Sequence, residues 1–132
     1  MKILIVDDDF ISRELLQGIL KDYGSTHIAV NGKEAVADVR AAMASGEPYN
    51  LICMDIIMPE MDGQQALQQI RDLEEAEGIT PIKAAKIIMI TVLDDPKTVV
   101  ESLHKGGATS YIVKPINKSK LLDELRSLRL IQ

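Results

Sequence analysis

Five short apolar runs punctuate the chain, and each is followed by a longer segment with helical spacing. The runs occupy residues 3–6, 27–30, 51–54, 87–90 and 111–113. Each has the length of one strand, and several are apolar throughout, as parallel strands covered on both faces are. The intervening segments carry stripes at helical period. Ile11, Leu15 and Ile19 with Leu16 and Leu20 form the first stripe, and Ala35, Val36, Val39 and Met43 the second. Leu67, Ile70 and Leu73 form the third, Val99, Val100 and Leu103 the fourth, and Leu121, Leu122, Leu125 and Leu128 the fifth. Five β-α units in succession predict an α/β fold: a doubly wound, five-stranded parallel sheet with helices on both faces.

The punctuation agrees with these boundaries. Asn31-Gly32 turns the chain into the second helix, and Asp95-Pro96 supplies a cap and a first-turn proline for the fourth. Gly106-Gly107 closes that helix, and Asn117 caps the fifth. Residues 74–86 read as a helix end plus an extended loop through Gly78 and Pro81, with no role assigned. The 132 residues suit one domain spanning 1–132, and no segment of DNA-binding or catalytic character follows the fifth helix.

Composition narrows the function classes. Twenty acidic against 15 basic residues give a formal net charge of −5, which disfavours direct contact with nucleic acid. Aromatics are 3% of the chain, too few for a stacking platform. The single cysteine, Cys53, sits in an apolar run and permits no internal disulfide, in keeping with a reducing compartment. The N-terminal apolar run is too short for a signal-peptide core or a membrane span, so the expectation is a cytoplasmic protein without membrane contact.

In doubly wound sheets ligands bind beyond the carboxyl ends of the strands. Those positions hold Asp7, Asp8 and Asp9 after the first run, Asp55 after the third, Thr91 after the fourth, and Lys114-Pro115 after the fifth. Neighbouring first and third strands would bring Asp7, Asp8 and Asp55 together. Packed carboxylates repel one another, and a divalent cation relieves the repulsion; Mg²⁺ prefers such hard oxygen donors. Lys114 supplies a point charge and Thr91 a hydroxyl for phosphoryl oxygens. Asp55, alone on its strand, is the best nucleophile for forming an acyl phosphate, leaving the first-strand pair for metal.

With these residues assembled, the chain resembles the response-regulator receiver family. The matching stretches are Ile3-Leu4-Ile5-Val6-Asp7-Asp8-Asp9, Met54-Asp55-Ile56-Ile57-Met58-Pro59-Glu60-Met61-Asp62-Gly63, Ile88-Met89-Ile90-Thr91 and Ser110-Tyr111-Ile112-Val113-Lys114-Pro115. The resemblance implies a flavodoxin-like sheet of strand order 2-1-3-4-5. It implies a signalling phosphoacceptor rather than an enzyme acting on a separate substrate. Asp55 takes a phosphoryl group from a phosphohistidine on a sensor histidine kinase or a histidine phosphotransfer protein. Asp8 and Asp55 ligate Mg²⁺, Asp7 helps largely through water, and the backbone carbonyl of Ile57 completes the protein ligands. Lys114 contacts the phosphoryl group and precedes a cis bond to Pro115. Thr91 and Tyr111 act as the switch, altering the face made by the fourth helix, fifth strand and fifth helix, with Lys97, Val100, Glu101, Lys105 and Leu122 on it. The downstream protein target is not implied.

Some positions depart from the family's common pattern. Asp9 matches its third acidic position poorly and reads as loop or cap. Ile57 and Leu93 are apolar where many members carry polar residues that can orient water, so slow self-dephosphorylation is expected. His27 and His104 read as structural, and Met58 and Met61 as packing for the loop after the third strand. Three other readings exist: a phosphatase using the Asp7-Asp8-Asp9 run as nucleophile motif, a flavodoxin-like carrier, and a degenerate receiver used only for protein contact, against which the intact Asp7, Asp8, Asp55, Thr91 and Lys114 set argues. The first lacks a later acidic pair at a strand end. The second lacks a phosphate loop and aromatics.

Overall fold

The computed structural model describes residues 1–92 and 107–132. In chain order the elements are β1 (Lys2–Val6), α1 (Phe10–Leu20), β2 (Ser25–Ala29), α2 (Gly32–Ala44), β3 (Leu51–Asp55), α3 (Gly63–Ala76), β4 (Lys86–Thr91), β5 (Ser110–Val113) and α4 (Lys118–Ser127). The stripe at Val99, Val100 and Leu103 lies outside the described residues. So do Leu93, the Asp95-Pro96 cap, Lys97, Glu101, His104, Lys105 and Gly106.

All five strands pair in parallel, in the order β2-β1-β3-β4-β5. The expected α/β sheet and its strand order are therefore present. β1 and β3 are central neighbours, with Val6 opposite Met54, and both are buried along most or all of their length. β2 differs from the expectation of strands covered on both faces. It is an edge strand whose Ser25 and His27 are exposed.

The sheet separates two apolar layers. One joins Leu4, Val6, Ile52, Met54 and Ile87 to the inward faces of α2 and α3, including Val36, Val39, Leu67 and Ile70. The other joins Ile3, Ile5, Cys53, Ile88 and Ile90 to Leu16, Ile19 and Leu20 of α1 and Leu121, Leu122 and Leu125 of α4. The first stripe is narrower than its sequence suggests. Ile11 is 74% and Leu15 44% exposed, because α1 seats on the sheet through the Leu16, Ile19, Leu20 ridge alone.

Among the described residues, α1 to α4 each start at a side chain that satisfies a free backbone N–H. Asp9 accepts from Ser12 N, Asn31 from Glu34 N, Asp62 from Gln65 N and Asn117 from Lys120 N. Asp62 and Gln65 complete a reciprocal capping box.

After α3 the chain turns through residues 77–85. Glu74 is buried here, bonded at 2.6 Å to the Arg71 guanidinium and at 2.8 Å to the Ala85 N–H. Arg71 also donates to the carbonyls of Ala85 and Gly107, both at 2.9 Å. The stretch read as a helix end plus an extended loop is thus fastened to β4 and to the entry of β5 by the Arg71–Glu74 ion pair.

Candidate functional site

The central strands end side by side, and their last residues carry the acids. Asp7 follows β1 and is fully buried; Asp55 ends β3 and is buried; Asp8 is exposed. One carboxylate oxygen from each of Asp7, Asp8 and Asp55 lies within 4.8 Å of the others. Such a set of hard oxygen donors suits Mg²⁺.

Lys114 enters from the end of β5. Its Nζ lies 3.1 Å from Asp7 Oδ2 and 3.3 Å from Asp55 Oδ2. The Lys114-Pro115 peptide is cis, as expected. The Lys114 N–H donates to the Thr91 carbonyl at 2.7 Å, which joins the ends of β4 and β5. Thr91 itself is fully buried and stands opposite Val113. Tyr111 lies opposite Met89 and packs, partly buried, against the α2–α3 layer.

The second carboxylate oxygens of Asp7 and Asp55 each accept a backbone N–H. Asp7 Oδ1 accepts from Asp9 N–H at 2.9 Å, and Asp55 Oδ1 accepts from Ile57 N–H at 3.3 Å. The Ile57 side chain is 53% exposed beside the cluster. Met58 is buried and Met61 packs partly buried against the core, so both serve the β3–α3 loop. His27 makes an edge contact with the Tyr49 ring, a structural role.

The electrostatics follow from this crowding. Burial, then the charge of Asp7, raises the Asp55 pKa from its ordinary 3.8, while Lys114 and the Ile57 N–H pull it back. Burial pulls Lys114 down, but hydrogen bonds and charge from Asp7 and Asp55 more than compensate, leaving it raised. Asp9 is exposed and held below its ordinary value by bonds from Ser12, in keeping with a cap. The pocket therefore keeps Lys114 positive and penalises the ionised form of Asp55 until more positive charge arrives.

The strand ends carry Asp7, Asp8, Asp55, Thr91 and Lys114, and Tyr111 lies within β5. Asp7, Asp8, Asp55 and Lys114 converge, and Thr91 and Tyr111 sit on the adjoining strands. Sequence reasoning missed Arg13, which donates to the Asp7 backbone carbonyl at 3.1 Å. Its signal was an arginine one turn into the helix after the acidic run. No helix among the described residues is long and apolar enough to cross a membrane.

Comparison with known proteins agrees with this geometry. The family profile of the response regulator receiver domain matches residues 3–126. The chemotaxis protein CheY of Treponema pallidum is 34% identical over 128 residues, 96% of this chain and 81% of that protein. The transcriptional regulatory protein ZraR of Salmonella typhimurium is 34% identical over 124 residues, 93% of this chain. This chain spans only 25% of ZraR. Among solved structures, a chain of the CheX-CheY-BeF3-Mg²⁺ complex from Borrelia burgdorferi superposes with a TM-score of 0.83 at 28% identity. That match covers 100% of this chain and 90% of the other. This chain belongs to the response regulator receiver domain family of two-component signalling.

Proposed function

We propose that the chain is a phosphorylation switch whose phosphoacceptor is Asp55. The observation that carries this reading is the Asp55 carboxylate held against two further carboxylates and one ammonium at the end of the central strands.

Asp7, Asp8 and Asp55, with the backbone carbonyl of Ile57, would hold Mg²⁺. Bound there, the ion would offset the clustered negative charge and polarise phosphoryl oxygens. An Asp55 oxygen attacks the phosphorus of a phosphohistidine on a sensor histidine kinase or histidine phosphotransfer protein. The P–N bond breaks, its electron pair stays on the imidazole, and that ring leaves neutral when its other nitrogen carries the proton. Lys114 pairs with a phosphoryl oxygen as charge builds, and the Thr91 hydroxyl donates to another.

The new charge biases two arrangements of Thr91 and Tyr111, and the surface around β5 and α4 passes the difference to a protein target. The chain acts as a phosphoacceptor that assists only its own phosphorylation and dephosphorylation, in the cytoplasm.

Intact mass after exposure to acetyl phosphate and Mg²⁺ tests the reading. Wild type gains one phosphoryl group, and Asp55→Asn gains none. A gain that persists in Asp55→Asn, or maps to Asp7, overturns it.

A further inference from the structure

Two helix starts approach the β3–α3 loop so closely that only hydrogen fits between them. A Cβ built on Gly63 would lie 2.2 Å from the Asp55 carbonyl oxygen. A Cβ on Gly32, the first residue of α2, would lie 2.5 Å from the Met61 carbonyl oxygen and 3.1 Å from Ala66 Cβ. Gly63 adjoins Asp55 and its part in the loop is plain. Gly32 belongs to a different β-α unit and bears no functional group.

We propose that Gly32 is a positioning residue for the phosphoacceptor loop, acting through the backbone of Met61. The inference rests on the proposed function of that loop. Three observations make the contact directional. First, the start of α2 is held in place. Asn31 caps it through a 2.8 Å bond from Glu34 N–H, and two residues earlier Ala29 O accepts from Asp7 N–H at 3.2 Å. Behind it, Ala35 and Ala66 are fully buried where α2 and α3 share one apolar layer.

Second, the ends of the loop are pinned. Ile56 N–H donates to Ile90 O at 3.0 Å, and Gly63 N–H donates to Ile56 O at 2.7 Å. Third, the stretch between is already tightly wound. Met61 N–H donates to Pro59 O at 2.8 Å, and Glu60 has φ 67°, a conformation L residues seldom adopt. A methyl group at position 32 needs the better part of 1 Å more room than the Met61 carbonyl leaves, about 3.4 Å being an ordinary contact. With α2 and both loop ends fixed, residues 57–61 take up that shift. They include Ile57, whose N–H bonds to Asp55 Oδ1 and whose carbonyl is a proposed metal ligand.

The test uses Gly32→Ala made on a Gly18→Ala chain. Gly18 lies inside α1 with nothing within 4 Å of an added Cβ, so that parent has a better helix former and an untouched site. Asn31→Ala on the same parent weakens the α2 cap without adding an atom toward Met61. Mg²⁺ affinity is read by calorimetry, and the acetyl phosphate reaction rate is read across Mg²⁺ concentrations.

Gly32→Ala is expected to weaken Mg²⁺ roughly tenfold or more, the scale of lost support around a metal ligand. The rate at low Mg²⁺ should fall by a similar factor and recover at saturating Mg²⁺, while Asn31→Ala matches the parent. Affinity within twofold of the parent overturns the proposal. So does an equal loss in Asn31→Ala, or a Gly32→Ala chain without a folded circular-dichroism spectrum, since Gly32 would then serve the fold as a whole. A parent that takes up neither Mg²⁺ nor phosphoryl overturns the proposed function itself.

Discussion

Lys114 Nζ stands 3.3 Å from Asp55 Oδ2, although 59 positions separate the two residues in sequence. The pairing predicts that Lys114→Met slows acyl phosphate formation on Asp55 roughly 100-fold, the usual loss when one donor to developing charge is removed. Lys114→Arg should recover little, because a planar guanidinium cannot replace a compact ammonium between two carboxylates. Stopped-time mass spectrometry with acetyl phosphate gives both rates. A Lys114→Met rate within threefold of wild type refutes the assignment.

Asp55 binds its proton more tightly folded than unfolded, since burial and then Asp7 raise its pKa above 3.8. Its favourable contribution is complete below 3.8 and is lost as pH climbs through the raised value. Asp55→Asn carries no such loss. In EDTA at pH 7 its Tm should exceed that of wild type, and the gap should shrink as pH is lowered toward 3.8. Lys114 has the same sign at the other end of the scale. Its contribution holds below its ordinary 10.5 and fades as pH passes its raised value. Calorimetric scans across pH measure both trends, and a lower Tm for Asp55→Asn at pH 7 contradicts the first.

Glu74 answers Arg71 and the Ala85 N–H with its two oxygens, inside the protein and away from the acidic cluster. Glu74→Ala leaves the Ala85 N–H without its acceptor and takes the carboxylate from a guanidinium that keeps its bonds to the Ala85 and Gly107 carbonyls. Breaking a buried pair costs about 3–5 kcal/mol, and the partial exposure of Arg71 points to about 3. Urea unfolding should show that loss while Mg²⁺ affinity stays at the wild-type value. A loss under about 1 kcal/mol would mean that the pair is replaced by water.

Ile57 presents an apolar side chain two residues beyond Asp55, half out in solvent. It has no group to orient a water molecule for attack on an acyl phosphate. The phosphorylated chain should therefore outlast seconds, and Ile57→Asn should shorten its lifetime several-fold. Decay of the phosphorylated mass after removal of acetyl phosphate decides it, and a wild-type half-life of seconds rules it out.

Strands and strand ends were legible because burial on both faces writes continuous apolar runs, and the residue after each run must sit at the sheet's rim. That logic located Asp7, Asp8, Asp55, Thr91 and Lys114 without knowledge of distances. The chemistry of the residue types pointed to a nucleophile, a cation site and two phosphoryl contacts, while the phosphohistidine donor, the Ile57 carbonyl ligand and the Thr91–Tyr111 switch came from family resemblance. Helix faces were less legible. Ile11 and Leu15 share a helical period with Ile19, yet only the docking of α1 decides which ridge meets the sheet. The Arg71–Glu74 pair was hidden because its reason lies 11 residues on, in the Ala85 N–H. Gly32 and Gly63 look like ordinary helix-start glycines, and nothing local records that a Cβ added there would collide with the carbonyl of Met61 or of Asp55.

β1 and β3 are each hydrogen-bonded on both sides, β1 to β2 and β3, and β3 to β1 and β4. Asp7 and Asp55 thus extend from two strands flanked by bonded neighbours on each side. Amide protons of Ile5 and Cys53 should exchange with deuterium only as rarely as the entire chain unfolds. The strands that carry Asp7 and Asp55 should then part only when the fold itself does.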